Sequence, residues 1–286
     1  MSGEEAVAAE YRWEGDRVAR WLRNAEGVDR QLAPVTEALF DAAALDSGER
    51  VLDVGCGHGP TTRKAAWAVG PYGRVTGLDV SAAMIEAAEA ADTSDHGATI
   101  DWTVGDVAEW TAPYPHDVVI SRFGVMFFSD PHRAFSSLSG ALRAGGRLCV
   151  AVWARRDASQ LFELPYTVAT SVLDEMGLDY EVPPADGGPF SLSDRAAVTE
   201  LLEGAGFVDV GWAPHTFPMT IGGGMAPEVA AKGALELGPT RIVVPDDEAV
   251  RQAVVEAVTD AYCEHVDRDG NVVLDGSIVV VTATRP

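Results

Sequence analysis

Residues 51–62 read VLDVGCGHGPTT. An apolar run carries an acid, Asp53, near its end, and then Gly55, Gly57 and Gly59 alternate with Cys56 and His58 before Pro60. Glycine permits a tight turn and lets a ligand approach the main chain. Two more acids follow apolar runs in the same way, Asp79 in GLDVS and Asp106 in VGDVAEW. A carboxylate is an acceptor only. After a second strand it can take hydrogen bonds from both hydroxyls of a ribose, and after a third it can accept from an exocyclic amine. A dinucleotide loop is spaced G-x-G-x-x-G, with its pyrophosphate on a helix N-terminus. Here the spacing is G-x-G-x-G, and Pro60 stands where the third glycine is expected. A phosphate-free ligand needs no anion seat, and a proline starts a helix at little cost.

Strands must bring the three acids to one rim. RVLDV (50–54) reads as a buried strand, and RVTGLDV (74–80), ATIDWTV (98–104), DVVISRF (117–123) and GRLCVAVW (146–153) read as strands. Between them, TTRKAAWAV, SAAMIEAAEAA (capped by Ser81) and PHRAFSSLSGALR (capped by Asp130, with Pro131 in its first turn) read as helices. This alternation predicts an α/β fold with a parallel sheet covered on both faces. Residues 4–46 read as helices, with Trp13, Arg17, Arg20, Trp21 and Asn24 near one face. The segment 155–190 reads as irregular, with PPADGGPF as a surface loop. A helix is expected over 193–206, opened by Ser193 or Asp194. FVDVGWAPHTFPMT, with two prolines, is expected at an edge or a bend. Helices around 226–237 and 246–264 and the strand GSIVVVTATRP close the chain.

These motifs resemble the class I S-adenosylmethionine-dependent methyltransferases, in their small-molecule branch. That branch includes the ubiquinone/menaquinone-biosynthesis enzymes and actinobacterial natural-product enzymes. VLDVGCGHG looks like the family's first motif, Asp79 like its ribose acid, and GDV (105–107) like its adenine-side motif. HDVVISRFGVMFFSDPHRAF and LRAGGRLCVAVW look like its fourth and fifth strands. The resemblance implies a Rossmann-like seven-stranded sheet in the order 3-2-1-4-5-7-6, the last strand antiparallel, with N-terminal helices and helical insertions forming a lid. It divides the chain into a helical cap (1–46), a cofactor core (47–154), acceptor-pocket insertions (155–192 and 219–270) and closing elements (193–218 and 271–286). S-adenosyl-L-methionine is the implied cofactor. Gly55 and Gly57 would approach its methionine half, and Asp79, with Val80 beside it, would hold the ribose. Met84 would cover the adenine, and Asp106 and Val107 would meet its edge. Ser121 would offer its carbonyl to the cofactor ammonium, Asp53 would order the loop or reach the ammonium through water, and Gln31 would roof the methionine end. One departure from the family is His58, where that loop often carries a small residue or threonine.

Methyl transfer from a sulfonium is an in-line displacement that needs a base only if the acceptor must lose a proton. His132, after the fourth strand, and His215, beside Phe217, are the weak catalytic candidates. Trp13, Trp21, Phe123, Phe127 and Trp153 are expected to wall an apolar acceptor pocket. Arg122, set among apolar residues, requires an acidic partner. No histidines or cysteines have metal-ligand spacing, so no metal is expected. The formal charge is −23, with two lysines among 21 basic residues, which disfavours nucleic acid and anionic membranes. Three scattered cysteines, no leader-like start and no long apolar run lead to the expectation of a soluble, cytoplasmic protein acting on a small metabolite. Two rivals remain: an NAD(P)-dependent dehydrogenase, disfavoured by Pro60 and the absence of a Tyr-x-x-x-Lys pair, and a protein that uses the sulfonium without transferring its methyl group.

Overall fold

Apolar runs with alternating helices become one sheet. The computed structural model describes residues 13–93, 97–183, 187–236 and 238–286. Residues 1–12, His96, residues 184–186 of the expected surface loop and Leu237 therefore lie outside the described residues. The strands are β1 (Arg50–Val54), β2 (Arg74–Asp79), β3 (Thr99–Val104), β4 (His116–Arg122), β5 (Leu142–Trp153), β6 (Val208–Thr220) and β7 (Val273–Thr284). Their order is β3-β2-β1-β4-β5-β7-β6, as the resemblance implies. The first five are parallel, and β7 runs antiparallel to both β5 and β6. β6, which carries Pro214 and Pro218, pairs only with β7, so the missing N–H groups cost no second ladder.

Helices α1 (Asp16–Gln31) and α2 (Ala33–Ala43) precede the sheet, and α3 (Pro60–Val69), α4 (Ala82–Ala90) and α5 (Pro131–Ala141) connect its parallel strands. Asp130 caps α5 by accepting from the Arg133 N–H at 3.0 Å, as expected. Ser81 occupies the N-cap of α4, but its side chain makes no capping bond. The Asp79 carboxylate instead accepts from the Ser81 N–H at 2.9 Å. Val51, Leu52, Val118, Val119 and Ile120 are fully buried between the helical layers. Each such side chain contributes about 1.5–3 kcal/mol through removal from water.

The segment after β5 departs from expectation. Gln160–Glu175 form a helix, α6, with Pro165 inside it. Proline lacks the N–H that would bond one turn back, which hid the helix, yet it falls near the start and packs inward. Pro165, Tyr166, Ala169 and Leu173 form the buried face. Helix α7 (Arg195–Gly204) is capped by Asp194, and α8 (Pro227–Ala234), α9 (Pro239–Val243) and α10 (Glu248–Cys263) follow β6. The inner faces of α6, α8, α9 and α10 make a second core around Leu274 of β7.

The strand order reverses between β1 and β4, so a crevice opens beyond their carboxyl ends. Gly55 and Gly124 meet there. A Cβ on Gly124 would sit 2.5 Å from the Val54 carbonyl oxygen and 2.8 Å from the Gly55 Cα. Gly124 has an ordinary φ of −79°, so its requirement is steric. Gly124→Ala is expected to destabilise the fold by about 1–3 kcal/mol. Gly140→Ala in α5, where an added Cβ meets nothing within 4 Å, should be neutral or stabilising by up to about 1 kcal/mol. Urea denaturation of the two variants makes the comparison, and equal stabilities would contradict the contact.

Candidate functional site

Above the crevice lies a cavity of about 1310 Å³. That is larger than the roughly 300–1,000 Å³ of a usual single-ligand pocket. Gly55, Gly57, Asp79, Val80, Met84, Asp106 and Val107 line it from the ends of β1, β2 and β3. Gln31 lines it from α1. Trp13, Trp21, Phe123, Phe127 and Trp153 line it from the α1 side and from the ends of β4 and β5. The expected cofactor-side and acceptor-side residues thus share one space. Asp53 and Ser121 are both fully buried and lie behind its wall.

The three loop glycines answer to three neighbours. Gly55 makes room for the Gly124 backbone, while a Cβ on Gly59 would sit 2.3 Å from the Trp102 ring. Only Gly57 faces open space, with nothing within 4 Å of its Cβ position, and its φ of 56° suits glycine. Its N–H donates to Asp79 at 2.9 Å.

Two carboxylates hold the loop. Asp53 accepts from the Thr61 and Thr62 hydroxyls at 2.7 and 2.6 Å, on the same oxygen. Its other oxygen is buried and has no partner among the described residues. Burial pushes its pKa up to about 6, against the hydrogen bonds from Thr62 and Thr61 and the charge of Arg122. Burial also raises the Asp79 pKa, opposed by the Ser81 and Gly57 N–H groups. Two desolvated carboxylates beside the cavity suit a ligand that brings positive charge. They oppose a pyrophosphate, because Asp53 already supplies the negative partner at the start of α3 and Pro60 withdraws an N–H there. Ser121 donates its hydroxyl to the Val54 carbonyl at 2.7 Å and accepts from the Gly124 N–H at 3.2 Å. Its side chain therefore fastens β1 to the turn after β4. Asp106 is exposed and accepts from the Ala108 N–H at 2.9 Å.

The partner that Arg122 requires is Asp29, on α1. Arg122 donates to it at 2.5 Å and to the Thr36 hydroxyl at 2.8 Å. The other Asp29 oxygen accepts from His58 Nε2 at 2.7 Å. Burial alone would raise the Asp29 pKa, but the His58 hydrogen bond and the Arg122 charge outweigh it and hold the group below the usual carboxylate range. Gln31 accepts from the Gly222 N–H at 2.8 Å, which ties α1 to the glycine turn after β6. The sequence called for a carboxylate beside Arg122, from the acceptor or from a buried Asp of another loop, and the structure supplies Asp29 from a helix instead; the Gln31 bond to Gly222 was not foreseen.

The acceptor-side aromatics form two groups. Phe123 stacks on Trp153 with centroids 4.1 Å apart, and Trp153 meets Phe162 edge-on at 4.8 Å. Trp13 meets Trp21 and Phe127 edge-on at 5.3 and 5.5 Å, with the Arg17 guanidinium 4.3 Å from the Trp13 ring. Phe162 was missed because its helix was read as irregular. The histidine candidates are not brought here. His132 is exposed on the first turn of α5, and His215 stacks on Phe217 on the edge strand, beside a separate groove. Among the described residues no cluster of three or more His, Cys, Asp or Glu could hold a metal, and no helix is long and apolar enough to cross a membrane.

Two outcomes follow from the charges. Asp29→Ala strands the Arg122 side chain, which is only 8% exposed, and is expected to cost about 3 kcal/mol in urea denaturation. A loss below 1 kcal/mol (about the value of a surface pair) would contradict the buried pairing. Asp53 holds its proton more tightly folded than unfolded, since its pKa rises from 3.8 to about 6. Its contribution to stability therefore falls as pH rises through that window. Asp53→Asn should remove this slope, gaining on the order of 3 kcal/mol on the ligand-free parent between about pH 4 and pH 7. A pH-independent difference between the two would refute it.

A family model described as a methyltransferase domain matches residues 51–146. The trans-aconitate 2-methyltransferase of Deinococcus radiodurans is 30% identical over 196 residues, which cover 68% of this chain and 70% of that protein. The aklanonic acid methyltransferase DauC of Streptomyces sp. is 35% identical over 118 residues, covering 40% and 53%. The solved structure of the YcgJ protein from Bacillus subtilis shares the fold at 14% identity, with a TM-score of 0.54 over 87% of this chain and 97% of that one. The chain spans about half the length of the first curated relatives it matches. With its strand order, its glycine loop and these relatives, the chain belongs to the class I S-adenosylmethionine-dependent methyltransferases.

Proposed function

We propose that this protein transfers the methyl group of S-adenosyl-L-methionine to a small, largely apolar metabolite. The observation that carries the reading is the single large cavity, which joins a carboxylate rim with no anion seat to an aromatic wall. The relatives named for trans-aconitate and aklanonic acid support a small-molecule acceptor. The net charge of −23 supports neither nucleic acid nor an anionic membrane as partner. Free Cys56, Cys149 and Cys263 suit a reducing, cytoplasmic setting.

When bound, S-adenosylmethionine supplies a methyl group on a positively charged sulfur, which is a good leaving group. In this reading Asp79 keeps lone pairs for the ribose hydroxyls beside its bonds to Gly57 and Ser81. Buried Met84 and Val107 offer apolar faces to the adenine, with exposed Val80 and Asp106 at its edge. Gly57 leaves the backbone bare for the methionine half. Asp53 and Ser121 act from behind the wall, holding Thr61, Thr62, Val54 and Gly124 in place. Of the cap 1–46, the described residues from 13 onward roof the core 47–154; the described parts of the insertions 155–192 and 219–270 form the acceptor side, and 193–218 with 271–286 close the sheet. Alignment of acceptor and methyl group by these walls can lower the barrier by about 7–11 kcal/mol. Among the described residues the one histidine on the cavity wall is His58, whose Nε2 is tied to Asp29. These walls work by positioning the acceptor and excluding water.

Incubation with methyl-tritiated cofactor and a panel of quinones, polyketides, terpenoids and indoles tests the activity, with label expected in one organic-extractable product. Asp79→Ala should weaken S-adenosylhomocysteine binding by about 1.5–3 kcal/mol in calorimetry. Unchanged affinity, or binding of NADH in place of S-adenosylhomocysteine, would overturn the reading.

A further inference from the structure

The cavity has a second polar feature, on the helices that follow β6. Tyr262 of α10 and Thr240 of α9 are each only 2% exposed, and both line the cavity. Among the described residues neither hydroxyl has a hydrogen-bond partner, and neither oxygen is sealed off from the cavity. Burial alone acts on the Tyr262 phenol and pushes its pKa well above the usual range, so it stays protonated and able to donate. A hydroxyl carried on a buried side chain but open to a cavity keeps its hydrogen-bonding capacity for whatever enters that space. Where it opens on a cavity, a bound molecule is the natural complement.

The surroundings say what kind of molecule. Phe162 and Pro165 of α6 and Ala230, Gly233 and Ala234 of α8 line the same end. Among the described residues a Cβ on Gly233 would meet nothing within 4 Å, so this part of the wall has room for a guest. The Phe123–Trp153 stack, with rings 8° from parallel, stands at the ends of β4 and β5 toward the rim. Flat rings favour a flat guest. Two hydroxyl donors at the end of an apolar chamber favour an oxygen acceptor on that guest.

We propose that Tyr262 and Thr240 are specificity-determining residues: the acceptor is a planar, largely apolar molecule carrying a carbonyl oxygen, which these two hydroxyls hold. The inference rests on the reading that the rim of β1–β3 is the cofactor half of the cavity. A guest lacking that oxygen leaves both hydroxyls unpaired, so the site rejects it by more than the value of a simple contact.

The test compares xanthone with xanthene, tricycles that differ by one carbonyl, by quenching of tryptophan fluorescence. The full-length protein is first saturated with S-adenosylhomocysteine. Xanthone is expected to bind about five- to tenfold more tightly. Tyr262→Phe and Thr240→Val should each erode that preference without changing xanthene or S-adenosylhomocysteine affinity. Gly233→Leu should weaken both tricycles and spare the cofactor product. Equal binding of the two tricycles, no binding of either, or a preference that survives Tyr262→Phe overturns the inference alone, provided S-adenosylhomocysteine binds. Failure of S-adenosylhomocysteine to bind the parent protein overturns both this inference and the methyl-transfer reading.

Discussion

At the carboxyl ends of β1 and β4 two backbones lie so close that a Cβ on Gly55 would sit 2.6 Å from the Gly124 Cα. The Ser121 hydroxyl clamps the pair by bonding to Val54 and to Gly124 at once. This contact decides where the chain can go next. β1 must turn sharply into α3, and the turn is held by the Asp53 carboxylate beneath it. After β4, Phe123 is forced to a φ of 66°, costly for a residue with a side chain. Its stack on Trp153 offsets part of that strain. The rim and the aromatic wall are thus two results of one close approach.

The roof depends on electrostatics more than on burial. Three residues of α1, Asp29, Arg30 and Gln31, form a hub at its last turn. Asp29 joins the glycine loop through His58 and the end of β4 through Arg122. Gln31 joins the turn at Gly222, and Arg30 packs against Gly223, where an added Cβ would meet it at 2.6 Å. One turn of helix therefore touches both sides of the cavity. Its charges are balanced locally, because the two oxygens of Asp29 meet an imidazole and a guanidinium.

The central strands β1, β4 and β5 were legible as largely apolar runs and β3 as a β-branched segment between turns, and the acids were legible because each stands at or just beyond a strand end. The loop glycines were legible as a turn, but what each makes room for was not. Gly55 and Gly59 are cleared for Gly124 and Trp102, which are distant in sequence, and only Gly57 is bare to the cavity. Helix α6 was hidden by Pro165, whose cost is met by burial that a local reading cannot see. Asp29 and Arg122 lie 93 residues apart, so no spacing rule joins them. Tyr262 sits on the inner face of an amphipathic helix, where a phenol reads as core. Only the cavity reveals that its side chain also reaches a lining surface. His132 and His215 carried a plausible residue type without a position.

The two walls of the cavity come from different stretches of chain. The rim is written between residues 53 and 107, at and just beyond the carboxyl ends of β1, β2 and β3. Much of the opposite wall comes from α6, α8, α9 and α10, whose packing forms a core of its own. A change of side chain on the second wall can therefore be absorbed by that separate core, without disturbing the sheet that holds the first wall in place.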